Sequence, residues 1–242
     1  MCTVTFIPAS DRVVITSNRD EHVSRKARLT PEAKILNGIK VVFPKDGTAG
    51  GTWYAINENG TVVVLLNGAF QNHERTPPYS RSRGLLVLDI ISTENAIDFA
   101  QEIGLANIEP FTLVVFENYK LWEFRWDGKQ KHLLSLDSTR SHIWSSWTLY
   151  DKEAQAKRNQ YFKRFIAKND DISARKILEF HQDNHGDLEN GFIIDRENGL
   201  KTLSITQVVL RKGQCQLNHM DLDSNKGDMV MVSTHSPQIS RV

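Results

Sequence analysis

MCTVTFIPASDRVVITSNRDEH, residues 1–22, combines two short strand-like runs with a polar segment. The runs at residues 3–7 and 12–16 are rich in β-branched side chains, and a proline, a serine and an aspartate lie between them, which is typical of a β-hairpin. The polar segment SNRDEH, residues 17–22, follows the second run. Because the open ends of two antiparallel strands lie side by side, we expect this segment to lie close to Cys2.

Cys2 is a candidate nucleophile because it is the second residue of the chain. Methionine aminopeptidase removes Met1 when the second residue is small, which would leave a thiol and a free α-amine on Cys2. The amine has a pKa of about 7.7–8.0 and can act as base for the thiol. Arg19 would lower the pKa of the thiol, and Asp20 would accept a hydrogen bond from the amine. The alternative is an ordinary second residue beside a solvated charged turn.

The rest of the chain alternates between strand-rich and helical parts. Hydrophobic periodicity and turn residues predict strands at 39–43, 52–56 and 61–66, helices at 83–91 and 93–103, strands at 111–117, 121–126, 132–136 and 142–145, helices at 151–167 and 173–180, and strands at 204–210, 214–219 and 229–233. This order predicts an α+β fold in which helices cover the outer faces of antiparallel sheets. The sequence has no internal repeat and no linker, so residues 1–242 are predicted to form a single domain.

The composition argues against several classes of protein. The 30 Lys and Arg residues nearly balance the 29 Asp and Glu residues, which argues against a nucleic-acid partner. The longest purely apolar run, residues 62–66, is far shorter than the about 20 residues that span a bilayer. Two cysteines without a signal peptide predict a cytoplasmic location. Motifs for a metal or a cofactor are absent from the sequence, so neither is predicted.

Four motifs in the first 90 residues resemble those of the NRDE family, which is also called the transport and Golgi organization protein 2 family. They are the Met-Cys start with SNRDE at 17–21, GGTWYAINENG at 50–60, LN at 66–67 and SRGLLVLD at 82–89. Beyond residue 90 the sequence resembles the family only weakly. The resemblance implies a fold like that of the N-terminal nucleophile hydrolases, which is a four-layer αββα sandwich of antiparallel sheets.

The resemblance also implies a chemistry. The relatives with known reactions, the cholylglycine hydrolases and penicillin V acylases, cleave amides with an N-terminal cysteine, and an asparagine that corresponds to Asn67 helps to hold the oxyanion. Asn67 would donate its NH₂ group to the developing charge, and such a donor typically stabilises the transition state by about 3–4 kcal/mol. Asn67 followed by Gly68 is also a favoured hairpin-turn dipeptide, so both interpretations stay open.

The sequence departs from the acylase pattern at two places. The acylases have R-N-x-D where this chain has NRDE, which leaves open whether Asp20 or Glu21 is the partner of the amine. Ser146 stands where an asparagine of the acylase site is expected, and Trp147 beside it is a candidate for an apolar acyl pocket. We therefore interpret Asn18, Glu21, Ser146 and Trp147 as substrate-binding residues.

Two functional hypotheses follow from these residues. The first is an N-terminal-cysteine hydrolase that cleaves an amide or thioester acyl bond of a small molecule, with Cys2, Arg19, Asp20 and Asn67 as its catalytic residues. The second is a non-catalytic carrier on the same fold that binds a haem-like or lipid-like ligand. The resemblance implies the second because eukaryotic members of the family are associated with Golgi organisation and with the handling of haem or lipids.

Overall fold

The computed structural model describes residues 3–25, 31–169 and 172–233. Cys2, the predicted nucleophile, lies outside the described residues. The strands are β1 (Thr3–Pro8), β2 (Val13–His22), β3 (Glu32–Leu36), β4 (Ile39–Phe43), β5 (Tyr54–Asn57), β6 (Val62–Asn67), β7 (Phe111–Glu117), β8 (Lys120–Trp126), β9 (Lys131–Leu136), β10 (His142–Ser145), β11 (Leu200–Arg211), β12 (Gln214–Asp221) and β13 (Lys226–Ser233). The helices are α1 (Arg83–Ile91), α2 (Ala96–Glu102), α3 (Lys152–Ala167) and α4 (Ala174–His181).

Two antiparallel sheets pack face to face. The first has six strands in the order β10-β1-β2-β11-β12-β13, and the second has seven in the order β3-β4-β5-β6-β7-β8-β9. Alternate residues of each strand point into the space between the sheets, where Phe6 and Ile15 of the first sheet pack with Ile56 and Val64 of the second. This central layer is the core that the two sheets share.

The helices cover the outer face of each sheet. Leu86 and Ile90 of α1 pack on Val63 and Leu65 of the seven-stranded sheet. On the other side, α3 and α4 contribute Phe162 and Ile177 to a cluster with Val14 and Val209 of the six-stranded sheet. The layers are therefore helix, sheet, sheet and helix, which confirms the predicted αββα architecture.

Strand β2 is longer than the sequence predicted. The prediction ended the strand at residue 16 and placed the polar segment after it, whereas β2 runs to His22. Thr3 of β1 pairs with Asn18, and β11 pairs with β2 on its other side. Because both edges of β2 are hydrogen-bonded, the sheet overrides the low strand propensity of Asn and Asp. Strand β3, at the edge of the other sheet, was not predicted.

The GGTW segment packs against the start of α1 without space for a side chain. A Cβ atom on Gly51 would lie 2.3 Å from the carbonyl carbon of Gly84 and 2.6 Å from the nitrogen of Leu85. The Thr52 nitrogen donates a hydrogen bond to the Gly84 carbonyl at 3.0 Å. Two of the motifs found in the sequence therefore form one backbone-to-backbone contact.

We expect the substitution Gly51→Ala to lower the free energy of unfolding by about 2–3 kcal/mol, because backbone atoms of α1 must move to accept the methyl group. Urea denaturation followed by circular dichroism measures the change. Gly104→Ala is the matched control, since an added Cβ atom there meets nothing within 4 Å. Equal midpoints for the two variants would contradict the prediction.

Candidate active site

A cavity of about 340 Å³ opens beside the end of β2. Its walls come from β2, from the segment that includes Asp46 and Trp53, from the end of β6 and from the start of α1. Three of the residues predicted for the site, Arg19, Glu21 and Asn67, line it. The cavity is therefore the candidate active site.

The four residues of the NRDE motif point to opposite faces of β2. Arg19 and Glu21 point toward the cavity. Asn18 and Asp20 point toward the layer of α3 and α4, where their side chains are buried. The period of two residues in a strand causes this division.

Asn18 is held in the helix layer by several hydrogen bonds. Its Nδ2 atom donates to the carbonyl groups of His181 at 2.9 Å and Phe192 at 2.7 Å. Its Oδ1 atom, which can only accept, is hydrogen-bonded to Nδ1 of His181. The Nε2 atom of His181 then accepts from the hydroxyl group of Thr5 at 2.7 Å. These contacts anchor β1 and β2 on α4.

Asp20 lies in the same layer. Its carboxylate accepts hydrogen bonds from Tyr150 Oη at 2.7 Å and from Thr202 Oγ1 at 2.6 Å. The guanidinium of Arg158 stacks on the Tyr150 ring at 3.4 Å and donates to the hydroxyl group of Thr3. These buried polar contacts therefore connect the beginning of β1 to the helix layer.

Arg19 is the central cation of the cavity. It is 1% exposed, its Nη2 atom donates to Asp46 Oδ2 at 3.1 Å, and its guanidinium carbon lies 4.5 Å from the centre of the Trp53 ring. Burial lowers the pKa of the Arg19 guanidinium, while Glu21 and Asp46 act in the opposite direction. An arginine keeps its charge in such surroundings, so the cavity has a fixed positive group at its inner end.

Asp46 holds Arg19 in place, and the sequence analysis did not identify it. Its Oδ1 atom accepts from the backbone nitrogens of Thr48 at 2.9 Å and Ala49 at 2.8 Å, and its Oδ2 atom accepts from Arg19 and from Arg25 at 3.2 Å. Burial alone would raise the pKa of Asp46, but these donors lower it below its usual value. The carboxylate is therefore ionised at neutral pH.

Asn67 is the last residue of β6 and faces the cavity. Its Oδ1 atom is buried and has no hydrogen-bond partner in the part of the chain that the structure describes. Asn67 and Gly68 do not form a hairpin turn, because the next element after β6 is helix α1. The hairpin-turn interpretation of Asn67 is therefore wrong, and its role in holding the oxyanion stays a prediction.

Ser146 and Trp147 lie apart from the cavity. The hydroxyl group of Ser146 is buried, donates to the backbone carbonyl of Asn67 at 2.9 Å and lies 3.0 Å from the hydroxyl group of Thr148. Trp147 lines a second cavity of about 270 Å³, together with Trp144. In the first cavity the tryptophan is Trp53.

The other charged groups of the cavity were also missed by the sequence analysis. Four further arginines line it with Arg19, and they are Arg25, Arg75, Arg81 and Arg83. The acidic lining residues are Glu21, Asp46 and Glu109. These residues are scattered over the chain and belong to no single motif, so only folding brings them together.

Protonation of His181 couples stability to pH. Burial, with a smaller contribution from Arg158, lowers the pKa of His181 to about 3. The unfolded chain, with an ordinary histidine pKa of about 6.5, binds the proton more readily than the folded protein. The stabilisation is therefore complete above pH 6.5 and is lost as the pH falls from 6.5 toward 3.

We expect the free energy of unfolding to fall by about 3 kcal/mol between pH 7.5 and pH 4.5 through His181 alone. His219, whose pKa burial lowers to about 4, adds to the same trend. Urea denaturation at the two pH values measures the sum. The His181→Gln variant should show a clearly smaller pH dependence, and an unchanged dependence would contradict this assignment.

Within residues 3–25, 31–169 and 172–233, none of the helices is both long and apolar enough to cross a membrane. In the same ranges, His, Cys, Asp and Glu side chains do not gather in threes around a point where a metal ion would sit.

Comparison with known sequences points to one family. The sequence model of the family described as Transport and Golgi organisation 2 matches residues 1–211. The uncharacterised protein YGR127W of Saccharomyces cerevisiae is 32% identical over 123 residues, which are 48% of this chain and 33% of the yeast protein. The match thus spans about a third of the length of that curated relative.

Comparison with solved structures shows the fold. The Caenorhabditis elegans orthologue of N-acylethanolamine-hydrolyzing acid amidase superposes with a TM-score of 0.59 and 11% identity, over 85% of this chain and 92% of that one. An arginine-to-leucine variant of the conjugated bile acid hydrolase of Clostridium perfringens has a TM-score of 0.55 and 11% identity, over 99% and 100% of the two chains. A cysteine-to-alanine variant of the same hydrolase gives the same TM-score and identity.

Proposed function

Because this chain belongs to the Transport and Golgi organisation 2 family and shares its fold with an acid amidase and a conjugated bile acid hydrolase, we propose that it is an N-terminal-cysteine hydrolase. After removal of Met1, the Sγ atom of Cys2 bonds to the carbonyl carbon of an amide or thioester, and the α-amine takes the thiol proton. The carbonyl electron pair moves to the oxygen and returns as the bond to the leaving group breaks. The amine then gives its proton to the leaving atom, and water hydrolyses the acyl-enzyme.

The observation that carries the proposal is the meeting of Asn67 and Arg19 at one cavity beside the start of β1. Thr3 pairs with Asn18, the neighbour of Arg19 in β2. Cys2 is covalently joined to Thr3, so their Cα atoms are about 3.8 Å apart. We propose that this attachment brings the nucleophile to the Arg19 end of the cavity.

Each polar group then has a distinct role. The charge of Arg19 favours the thiolate form of Cys2. The side-chain NH₂ of Asn67 donates to the oxyanion. Both candidates for the partner of the amine already have hydrogen-bond partners, since Asp20 accepts from Tyr150 and Thr202 and Glu21 is bound to Arg25 at 2.9 Å, so the choice between the two stays open.

The charged lining gives no support to the alternative of a haem-like or lipid-like cargo. A cavity for an apolar ligand is lined mainly by apolar and aromatic side chains. Here five arginines and three acidic residues line a cavity of about 340 Å³. A small polar or charged acyl substrate fits this lining better.

The reactivity of the two cysteines tests the proposal. Native protein is treated with iodoacetamide at pH 7, and each cysteine peptide is quantified by mass spectrometry. We expect Cys2 to be alkylated, with parallel loss of acyl-amide turnover. Cys215 is the internal control, because burial raises its pKa to about 12 and leaves the thiol unreactive. Retention of Met1 in the natively expressed protein, or turnover that survives full alkylation of Cys2, would overturn the proposal.

A further inference from the structure

The candidate active site has an excess of positive charge. Among the residues that the structure describes, five arginines and three acidic residues line it, so this part of the lining has two more guanidinium groups than carboxylates. The arginines differ in how firmly they are bound to acidic neighbours. The firmly bound arginines hold the cavity walls, and the other arginines remain available to a ligand.

The inner arginines are held by acidic partners. The side chain of Arg19 is 2% exposed and is bound to Asp46. The side chain of Arg83 is 16% exposed, and it contacts Glu109 at 2.9 Å and donates to the Pro110 carbonyl at 3.0 Å. Both guanidinium groups are enclosed and paired, so they shape the cavity.

The outer arginines are more accessible. The side chain of Arg75 is 74% exposed, and its contact with Glu109 is 3.5 Å long. That carboxylate already has Arg83 at 2.9 Å and His73 at 3.2 Å. The side chain of Arg81 is 44% exposed, and both of its terminal nitrogens contact Asp89, which lies outside the lining. The long contact of Arg75 contributes little, and the five N–H donors of Arg81 exceed the two that its pair with Asp89 uses, so donors of both arginines remain for a ligand.

Two further features of the same cavity also favour an anion. The N-terminus of α1, where Ser82 caps the helix, lines the cavity and has no acidic residue in its first turn. The indole nitrogen of Trp53, a residue that is only 2% exposed, is buried on the cavity wall without a hydrogen-bond partner among the described residues. An indole N–H group can only donate, so it needs an acceptor.

We propose that the substrate carries an anionic group, a carboxylate or a phosphate, which binds to Arg75 and Arg81 at the mouth of the cavity while the acyl group lies toward Asn67. This inference rests on the proposed function, and it narrows the substrate class. Guanidinium groups suit both anions because their parallel N–H donors match two oxygens at once.

Binding measurements with three matched amides test the inference. The probes are N-hexanoylglycine, N-hexanoyl-O-phosphoethanolamine and the neutral N-hexanoylethanolamine, and the protein is the Cys2→Ala variant, which cannot form an acyl-enzyme. By isothermal titration calorimetry we expect at least one anionic probe to bind about tenfold more tightly than the neutral one, with a preference that weakens at high salt. Comparison of the carboxylate with the phosphate identifies the preferred anion.

Two variants show whether the arginines cause the preference. The double variant Arg75→Gln/Arg81→Gln should bind charged and neutral probes within about threefold of each other. Arg140→Gln is the control, since Arg140 is exposed and does not line the cavity. Equal binding of all three probes by the parent protein, no binding of either anionic probe, or a preference that survives in the double variant would overturn the inference. Anion binding without turnover by the wild-type protein would instead overturn only the proposed hydrolase.

Discussion

Replacing Cys2 by alanine is expected to lower kcat/KM for any acyl amide that the protein cleaves by at least about 10³-fold. Alanine has no group that can form the acyl-enzyme, and the amine that remains has no proton to take. The residual rate would come from the oxyanion site and from substrate binding alone. Steady-state hydrolysis by the purified variant, with Met1 removal checked by intact mass, measures the loss.

Cys215→Ala is the matched control for this loss. Cys215 is fully buried in β12 and packs in the central layer between the sheets, with no place on the cavity lining. Its removal should leave kcat unchanged and lower the stability only moderately. A Cys2→Ala protein that hydrolyses its substrate as fast as the Cys215→Ala protein would exclude Cys2 as the nucleophile.

Replacing Asn67 by alanine is expected to lower kcat by about 10²–10³-fold with little change in KM, because an oxyanion donor acts on the transition state more than on the bound substrate. The side chain of Asn67 lines the cavity, and its Oδ1 atom has no partner among the described residues. The measurement is kcat and KM from initial rates.

The substitution Asn67→Asp separates this role from simple packing. Aspartate has nearly the same size but, when ionised, cannot donate a hydrogen bond. We expect it to lose as much kcat as Asn67→Ala. A change confined to KM in both variants would mean that Asn67 only lines the cavity, and wild-type activity in Asn67→Asp would refute its role as a donor.

Local signals in the sequence were sufficient for several elements. The bounds of α1, residues 83–91, were predicted as the structure has them from the helical spacing of the apolar residues, and the structure shows that Ser82 also caps the first turn through the Leu85 nitrogen. Helix α3 begins after Asp151, which accepts from the Ala154 nitrogen in the same way. Such caps act within three residues, so a sequence displays them directly.

Pairing between distant strands changed other elements. The sequence ended the second strand at residue 16, but β1 and β11 extend it to His22 by binding both of its edges. Helix α2 is shorter than predicted, covering Ala96–Glu102 with Asn95 before it. The carboxylate of Glu117 in β7 accepts from the Ala96 nitrogen at 2.6 Å, and this contact from another strand sets the start of the helix.

The residues of the candidate site also fall into two groups, those that the sequence identified and those that it missed. Arg19 and Asn67 were found because each lies in a contiguous motif whose chemistry is visible in the sequence. Asp46 was not found, because its role is to bind Arg19, which is 27 positions away in the sequence. Trp147 was favoured over Trp53 because it adjoins Ser146, yet Ser146 binds the backbone of Asn67 and Trp147 lines the second cavity, while Trp53 lines the first.

By itself, the sequence determined the layered α+β architecture, the hairpin that begins it and the residue types available at its polar end. Those features depend on hydrophobic periodicity and turn chemistry, which act over a few neighbouring residues. Only the tertiary structure decided that Arg19 faces the cavity while Asp20 faces the helices, and that Arg75 and Arg81 share a cavity with Asn67. The reason is physical: the face of a strand and the meeting of distant charges depend on register and layer packing, which long-range contacts set.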